Sequence, residues 1–458
     1  MHSINRAAPT SRGSATTEKT FIMTYKYKYG TNASEYLSAT DSDDVVYAYA
    51  GSDTIDGWNG RDHLYGMDGD DWIYGGWGQD VLYGGNGSDH LYGQGDADRF
   101  MGAIEGQGDD FFYGDGGDDV VDYSGATAGM VISLKSGRAG TTGSAYGRDV
   151  LEGIEDVIGG DGSDIIHGND PGFLGIGTWG ENVLEGRGGN DWISAHGGND
   201  WLYGGTGADT LYGGDGNDAL YGEADADYLY GDAGDDKLYG GAGDDTLFGG
   251  YGKDYLDGGD GYDTVSYADW NGPVGGIIGD QGYDTFANIE KVIGSNFGDD
   301  LGMKYYAPTS SGYVVEGGAG DDWVGGSASG DALYGGSDND VLHGWLGADY
   351  LSGGSGQDTF WIEFKSGNFD SGVGDGYRDY IADFQPGVDV LKLVTGQSLS
   401  FIGQNGFTHA NQIRVGSENW YGSQETIVQV NLDTDALPEF EIHLAGQVTP
   451  TAGDFLLA

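Results

Sequence analysis

Cysteine is absent from this 458-residue chain, so neither disulfides nor thiolate metal sites are open to it. Basic residues are scarce: 19 Lys and Arg stand against 75 Asp and Glu, a formal charge of −56. That balance argues against nucleic acid and anionic membrane as partners. No apolar run approaches the roughly 18 residues of a transmembrane helix, so no transmembrane segment is expected. Proline is rare, at seven residues, and the glycines keep no three-residue beat, which excludes collagen. The first 23 residues carry Arg6, Arg12 and Lys19 but no apolar centre, unlike a cleaved secretory signal. Met1 and Met23 both stand open as the start, with 24–29 expected as an opening strand.

What the chain has in abundance is glycine, 93 residues, roughly three times ordinary usage. Low hydrophobicity with high charge normally leaves a chain disordered. Against this stand 32 tyrosines, 11 tryptophans and periodic Leu, Ile and Val positions. The composition therefore predicts a chain that cannot fold alone but can fold with a counter-ion.

The acidic residues keep a strict beat of nine. Asp44, Asp53, Asp62, Asp71, Asp80, Asp89 and Asp98 open it, and after a three-residue slip near Ala103 it resumes at Asp110 and Asp119. Following Asp164 it runs unbroken through Asp191, Asp200, Asp209, Asp218, Asp227, Asp236, Asp245, Asp254 and Asp263. A last series comprises Asp300, Asp322, Asp331, Asp340, Asp349 and Asp358. Neither a helix nor an ordinary strand uses a period of nine. A solenoid coil of two nine-residue half-turns does, because it stacks like residues on one another. The fold class expected is all-β: a parallel β-roll in three blocks with a β-rich C-terminal cap.

Composition shifts set the boundaries. A leader and capping strand occupy 1–38, and repeat blocks occupy 39–122, 159–265 and 295–360. The inserts between them, 123–158 and 266–294, resemble each other. One follows Val121-Asp122-Tyr123-Ser124 and ends Gly153-Ile154-Glu155-Asp156-Val157-Ile158-Gly159. The other follows Val265-Ser266-Tyr267-Ala268 and ends Asn288-Ile289-Glu290-Lys291-Val292-Ile293-Gly294. Each reads as an excursion that leaves and rejoins one stack. In 361–458 glycine thins and strand-like runs appear at 427–431 and 440–444.

Within Gly240-Gly241-Ala242-Gly243-Asp244-Asp245-Thr246-Leu247-Phe248, glycines permit the positive-φ turn, Asp245 closes it, and Thr246-Leu247-Phe248 forms a short strand with Leu247 inward. Alternate repeats share an edge, so Asp44, Asp62, Asp80 and Asp98 predict one column and Asp53, Asp71 and Asp89 the other. Bare carboxylates one strand spacing apart, roughly 4.8 Å, repel by about 0.9 kcal/mol in water and about 3.5 kcal/mol at an effective dielectric of 20. A cation between turns reverses that sign. Carboxylate and carbonyl oxygens, with no Cys and scattered His, select Ca²⁺ over zinc or copper. All 25 beat aspartates named above are expected metal positions.

The pattern Gly-Gly-x-Gly-x-Asp-x-apolar-x resembles the RTX nonapeptide repeat, with near-complete copies at 84–92, 204–212, 213–221, 240–248 and 353–361. The resemblance implies a calcium-binding parallel β-roll. Departures occur at Asn182, which replaces the Asp, and at 326–331, Gly-Ser-Ala-Ser-Gly-Asp. The tail is similar to the C-terminal domain of serralysin-type secreted proteases, through Asp358-Thr359-Phe360, Asp379-Tyr380-Ile381-Ala382-Asp383-Phe384, Asp433-Thr434-Asp435 and Phe440-Glu441-Ile442-His443-Leu444-Ala445-Gly446. It ends Asp454-Phe455-Leu456-Leu457-Ala458, one residue past the family's usual apolar end, and Leu437-Pro438 stands where Gly-Asp is usual. This resemblance implies type I export machinery as a partner and an extracellular or cell-surface location on a Gram-negative bacterium.

No His-Glu-x-x-His or Gly-x-Ser-x-Gly occurs, and no catalytic residue is assigned. The eight histidines are dispersed, His63, His90, His167 and His343 at repeat positions where an outward strand residue is the ordinary reading. Paired acids such as Asp70-Asp71 recur with the repeat and read as metal or solvation positions. Leu-Tyr recurs at 64–65, 82–83, 91–92, 202–203, 211–212, 220–221, 229–230, 238–239 and 333–334. With Leu inward, the tyrosines predict outward ladders, either lateral packing or an interaction surface. The functional expectation is a calcium-folded, non-catalytic surface or matrix scaffold that self-assembles. The alternative is a protein that binds or acts on an alginate-type polysaccharide.

Overall fold

The computed structural model describes residues 25–102, 108–141, 149–169, 181–274, 284–303, 312–365, 368–369, 378–420, 422–433 and 437–457. The leader before residue 25, the slip at Ala103, Thr434-Asp435 and Ala458 lie outside them. The described residues are almost entirely strand and turn, apart from one 3-10 turn at Ala452–Asp454.

Two faces of parallel strands run along the stack. On one face, thirteen strands follow from Lys26–Tyr29 to Thr285–Ala287. The other face begins at Tyr36–Ser38 and continues through Phe440–Leu444. Successive strands on a face pair 18 residues apart, as Lys26 with Asp44 and Leu64 with Leu82. One coil is therefore two nonapeptides.

The short apolar stretch of each repeat turns its central residue inward. On the second face this builds one aliphatic ladder, Leu211, Leu229, Leu247, Val265, Val292, Val315, Leu333, Leu351, Ile381 and Leu444, each paired with the next. Every member is 0% exposed. The ladder crosses the second insert and enters the C-terminal segment without a break. Leu229→Ala is expected to cost about 2–5 kcal/mol, as for other buried Leu truncations. In saturating calcium the urea midpoint should fall clearly below that of the parent chain. An unchanged midpoint would contradict the packed ladder.

Glycine holds the turns because nothing larger fits. At Gly216, φ is +146° and a Cβ would lie 1.4 Å from the carbonyl oxygen of Gly198 one coil earlier.

Both inserts leave and rejoin the same stack. Val120–Asp122 pairs directly with Asp156–Ile158, while Met130–Ser133 and Arg138–Thr141 form an antiparallel hairpin between them. Likewise Thr264–Ser266 pairs with Lys291–Ile293. Beyond the second insert a new sheet starts at Asp300–Gly302 and runs through Val390–Val394 to Phe455–Leu457. The C-terminal segment thus extends both faces, and the antiparallel pair Gln412–Trp420 and Ser423–Asn431 closes it.

Candidate metal centre

Each nonapeptide ends its glycine turn on an Asp at the coil edge. Stacking brings alternate aspartates together, because the backbone N–H of each donates to Oδ1 of the aspartate one coil on. Asp44 donates to Asp62, Asp62 to Asp80 and Asp80 to Asp98, at 2.7–2.8 Å. Asp53, Asp71 and Asp89 form the second column in the same way. The slip lengthens the step to 21 residues at Asp89–Asp110 and Asp98–Asp119 without interrupting either column.

These carboxylates are not a solvated edge. Asp71, Asp89, Asp209 and Asp263 are 0% exposed, and the other column members are nearly as buried. With Oδ1 committed to a backbone N–H, the remaining oxygen decides the chemistry. From Asp53 to Asp98, at Asp119, from Asp191 to Asp263, and at Asp322, Asp340 and Asp358, Oδ2 is buried and accepts no hydrogen bond. A buried acceptor without a donor is costly, and a buried unpaired charge far more so.

Burial accordingly pushes these groups up: Asp62, Asp98, Asp227 and Asp236 to about 8, Asp80, Asp89, Asp191 and Asp200 to about 7, and Asp71, Asp209 and Asp218 to about 6. The N–H of the preceding coil opposes the rise. For most of them, including Asp62, Asp98, Asp227 and Asp236, neighbouring column carboxylates add to it.

The residues fit a hard cation. A Cβ on Gly66 would sit 2.2 Å from Asp71 Oδ2 and 2.6 Å from the Gly84 carbonyl oxygen of the next coil. Gly186, Gly222 and Gly240 repeat that cradle beside Asp191, Asp227 and Asp245. A carboxylate and a carbonyl oxygen from adjacent coils thus converge around glycine, where any side chain would intrude. Among the described residues no group of three or more His, Asp or Glu gathers. Carboxylates taken one coil at a time would need backbone carbonyls to complete the six to eight oxygens that Ca²⁺ takes.

Several column members escaped the nine-residue beat. The position expected at Asp300 belongs to Asp299, which is buried, donates its N–H to Asp322 and accepts from Val274. Asp300 instead opens a strand. At the first insert Asp149 extends the column of Asp53, Asp71 and Asp89, accepting from Asp110, and Glu155 extends the column of Asp44, Asp62 and Asp80, accepting from Asp119 at 2.9 Å. At the second insert the acid types exchange columns: Asp284 accepts from Asp254, in the column of Glu155, Asn182 and Asp200, and Glu290 accepts from Asp263 at 2.9 Å in the other. The buried Tyr123 and Tyr267 hydroxyls donate to Asp149 and Asp284 at 2.8 and 2.6 Å. Asp379 and Asp389 carry the columns beyond 358. The duplicated insert ends, Ile154-Glu155 and Ile289-Glu290, were the available signal.

Outside the coil the tyrosines stack as the Leu-Tyr pattern implies. Ring centroids are 4.7 and 4.3 Å apart along Tyr47, Tyr65 and Tyr83, and 4.9 Å apart at each step of Tyr203, Tyr221 and Tyr239.

A family model described as RTX calcium-binding nonapeptide repeat matches residues 29–64, 59–91, 74–104, 106–125, 149–170, 176–211, 196–229, 203–238, 230–265 and 325–360, together more than half of the chain. No curated protein matches it.

Proposed function

The chain belongs to the RTX calcium-binding nonapeptide repeat family, and from that premise we propose that it is an extracellular, non-catalytic scaffold that folds where calcium is plentiful. As a β-roll of such repeats it binds calcium ions at multiple sites. In our reading the column aspartates supply the carboxylate ligands, and 39–122, 159–265 and 295–360 are the calcium blocks. The serralysin-like tail, 361–458, serves type I export and caps the stack. Support for that capping role is the continuation of the inward ladder through Ile381 to Leu444.

The observation that carries the scaffold reading is the outward aromatic surface. Besides the stacked tyrosine ladders, well-exposed rings stand at Trp58, Trp77 and Tyr251, the first two lining one cleft with Tyr74. Contiguous exposed aromatics mark contact surfaces. Electron microscopy and sedimentation with and without calcium test it. Assemblies that form only with calcium are expected, and a dispersed monomer under every condition would sink the reading.

A polysaccharide-binding reading rests on one cleft. Asp56, Trp58, Asn59, Tyr74, Gly76, Trp77 and Gln94 line about 400 Å³. Indole faces beside amide and carboxylate groups suit a sugar ring, with alginate-type chains as the class to try. A glycan array with no hits would remove this reading.

A further inference from the structure

Column aspartates that look alike in sequence fall into two kinds in the structure. Wherever Oδ2 is orphaned, the residue four positions earlier has a positive φ: Tyr49 before Asp53, Met67 before Asp71, Glu223 before Asp227, Gly318 before Asp322. At five positions it does not, and there the residue's own backbone N–H donates to Oδ2. These bonds are Thr40 to Asp44 at 2.8 Å, Gly160 to Asp164 at 2.7 Å, Ser295 to Asp299 at 2.6 Å, Ser327 to Asp331 at 2.6 Å and Gln385 to Asp389 at 2.7 Å. Thr40, Ser295 and Ser327 add a hydroxyl donor to the same carboxylate. At Asn182, Nδ2 donates to the Glu155 carbonyl oxygen at 2.6 Å, so an amide stands in the column in place of a charge.

We propose that these six rungs are metal-free clamps, and that the backbone conformation four residues before the aspartate decides which rungs take calcium. A donor supplied by the protein already answers the lone pair that calcium would answer elsewhere, and a hydroxyl hydrogen directed at the carboxylate opposes a cation there. The placement of the clamps gives them a role. Asp44 lies near the start of the stack, Asp164 and Asn182 follow the first insert, and Asp299 follows the second. Asp331 lies within the third block and Asp389 beyond it. The calcium ladder is thereby cut into separate arrays, with Asp53 to Asp119 and Asp191 to Asp263 as the longest. Junctions between arrays are held by hydrogen bonds that need no ion.

The inference rests on the calcium reading of the orphaned rungs, and calcium uptake by the full folded chain separates the two. Equilibrium dialysis followed by elemental analysis counts bound ions in the parent, Asp331→Asn and Asp227→Asn. Asp331→Asn is expected to keep the parental count, whereas Asp227→Asn should lose about one to two ions, since a ligand shared between coils serves the sites beside it. Should Asp227→Asn fail to fold by circular dichroism, Asp358→Asn near the ladder's end replaces it. Equal losses at clamp and ladder positions, or no loss at the ladder position, would overturn the sorting. A parent chain that takes up no calcium would overturn the calcium reading itself.

Discussion

Removing calcium above pH 8, where the ladder carboxylates are ionised, is expected to unfold the roll: a chelator should convert the β-type circular dichroism spectrum to that of a coil, and excess calcium should restore it. Each orphaned Oδ2 belongs to a carboxylate buried beside another one strand spacing away, about 4.8 Å. Repulsion between charged neighbours is then about 3.5 kcal/mol at an effective dielectric of 20. The run from Asp191 to Asp263 alone contains nine such groups in two columns. Its summed repulsion exceeds the roughly 5–15 kcal/mol that a typical domain has in reserve. The Oδ1 bonds between coils offset part of this, at about 1.5–3 kcal/mol for a charged acceptor, but leave the second oxygen unanswered. Salt should rescue poorly, since buried pairs are screened far less than exposed ones. A β spectrum that persists in chelator at pH 9 and low ionic strength would refute the account. Retention confined to the coils around Asp164 and Asp299 would instead locate calcium-independent structure at the clamps.

What depends on period is legible in the sequence, and what depends on direction is not. A nine-residue beat with a central apolar residue has one stacking solution, so the inward ladder, the two aspartate columns and the tyrosine stacks all follow from spacing. Which oxygen of each carboxylate is answered does not, because Asp164 and Asp191 both close a glycine-rich hexad and differ in the φ of Gly160 against Arg187. Where adjacent acids blur the beat, as at Asp299-Asp300, register comes from the neighbouring coil through Asp322. Glu155 and Glu290 were hidden by a different cause. Their extra methylene lets them reach the same backbone N–H from 36 and 27 residues away, and a search for Asp at nine-residue intervals passes over them. Those two separations differ by nine, so the path from the last column Asp to the insert-end Glu is one repeat length longer at the first insert than at the second.

Acid should partly substitute for calcium. The ladder carboxylates have an ordinary value of 3.8 and are raised by burial to about 6 at Asp71 and Asp209, about 7 at Asp80 and Asp254, and about 8 at Asp62 and Asp236. With the folded value above the unfolded one, the calcium-free folded state holds more protons than the coil across that interval. Its stability is therefore full below about 4 and is lost as pH rises toward about 8. In chelator, lowering the pH from 8 to 5 is expected to recover β-type circular dichroism. Protonation at these sites removes repulsion and turns an orphaned acceptor into a hydroxyl that can donate. Calcium reverses the slope, because its ligands must be deprotonated and its affinity falls in acid. The two conditions should thus show opposite pH dependences, stability falling with pH in chelator and rising with pH in limiting calcium. Dilute samples and a lower limit of pH 5 are needed because the sequence pI lies near 4.1, where self-association competes. A calcium-free chain that remains a coil at pH 5 would show that removing the carboxylate charge is not enough, and that the ion is also needed to tie neighbouring coils together.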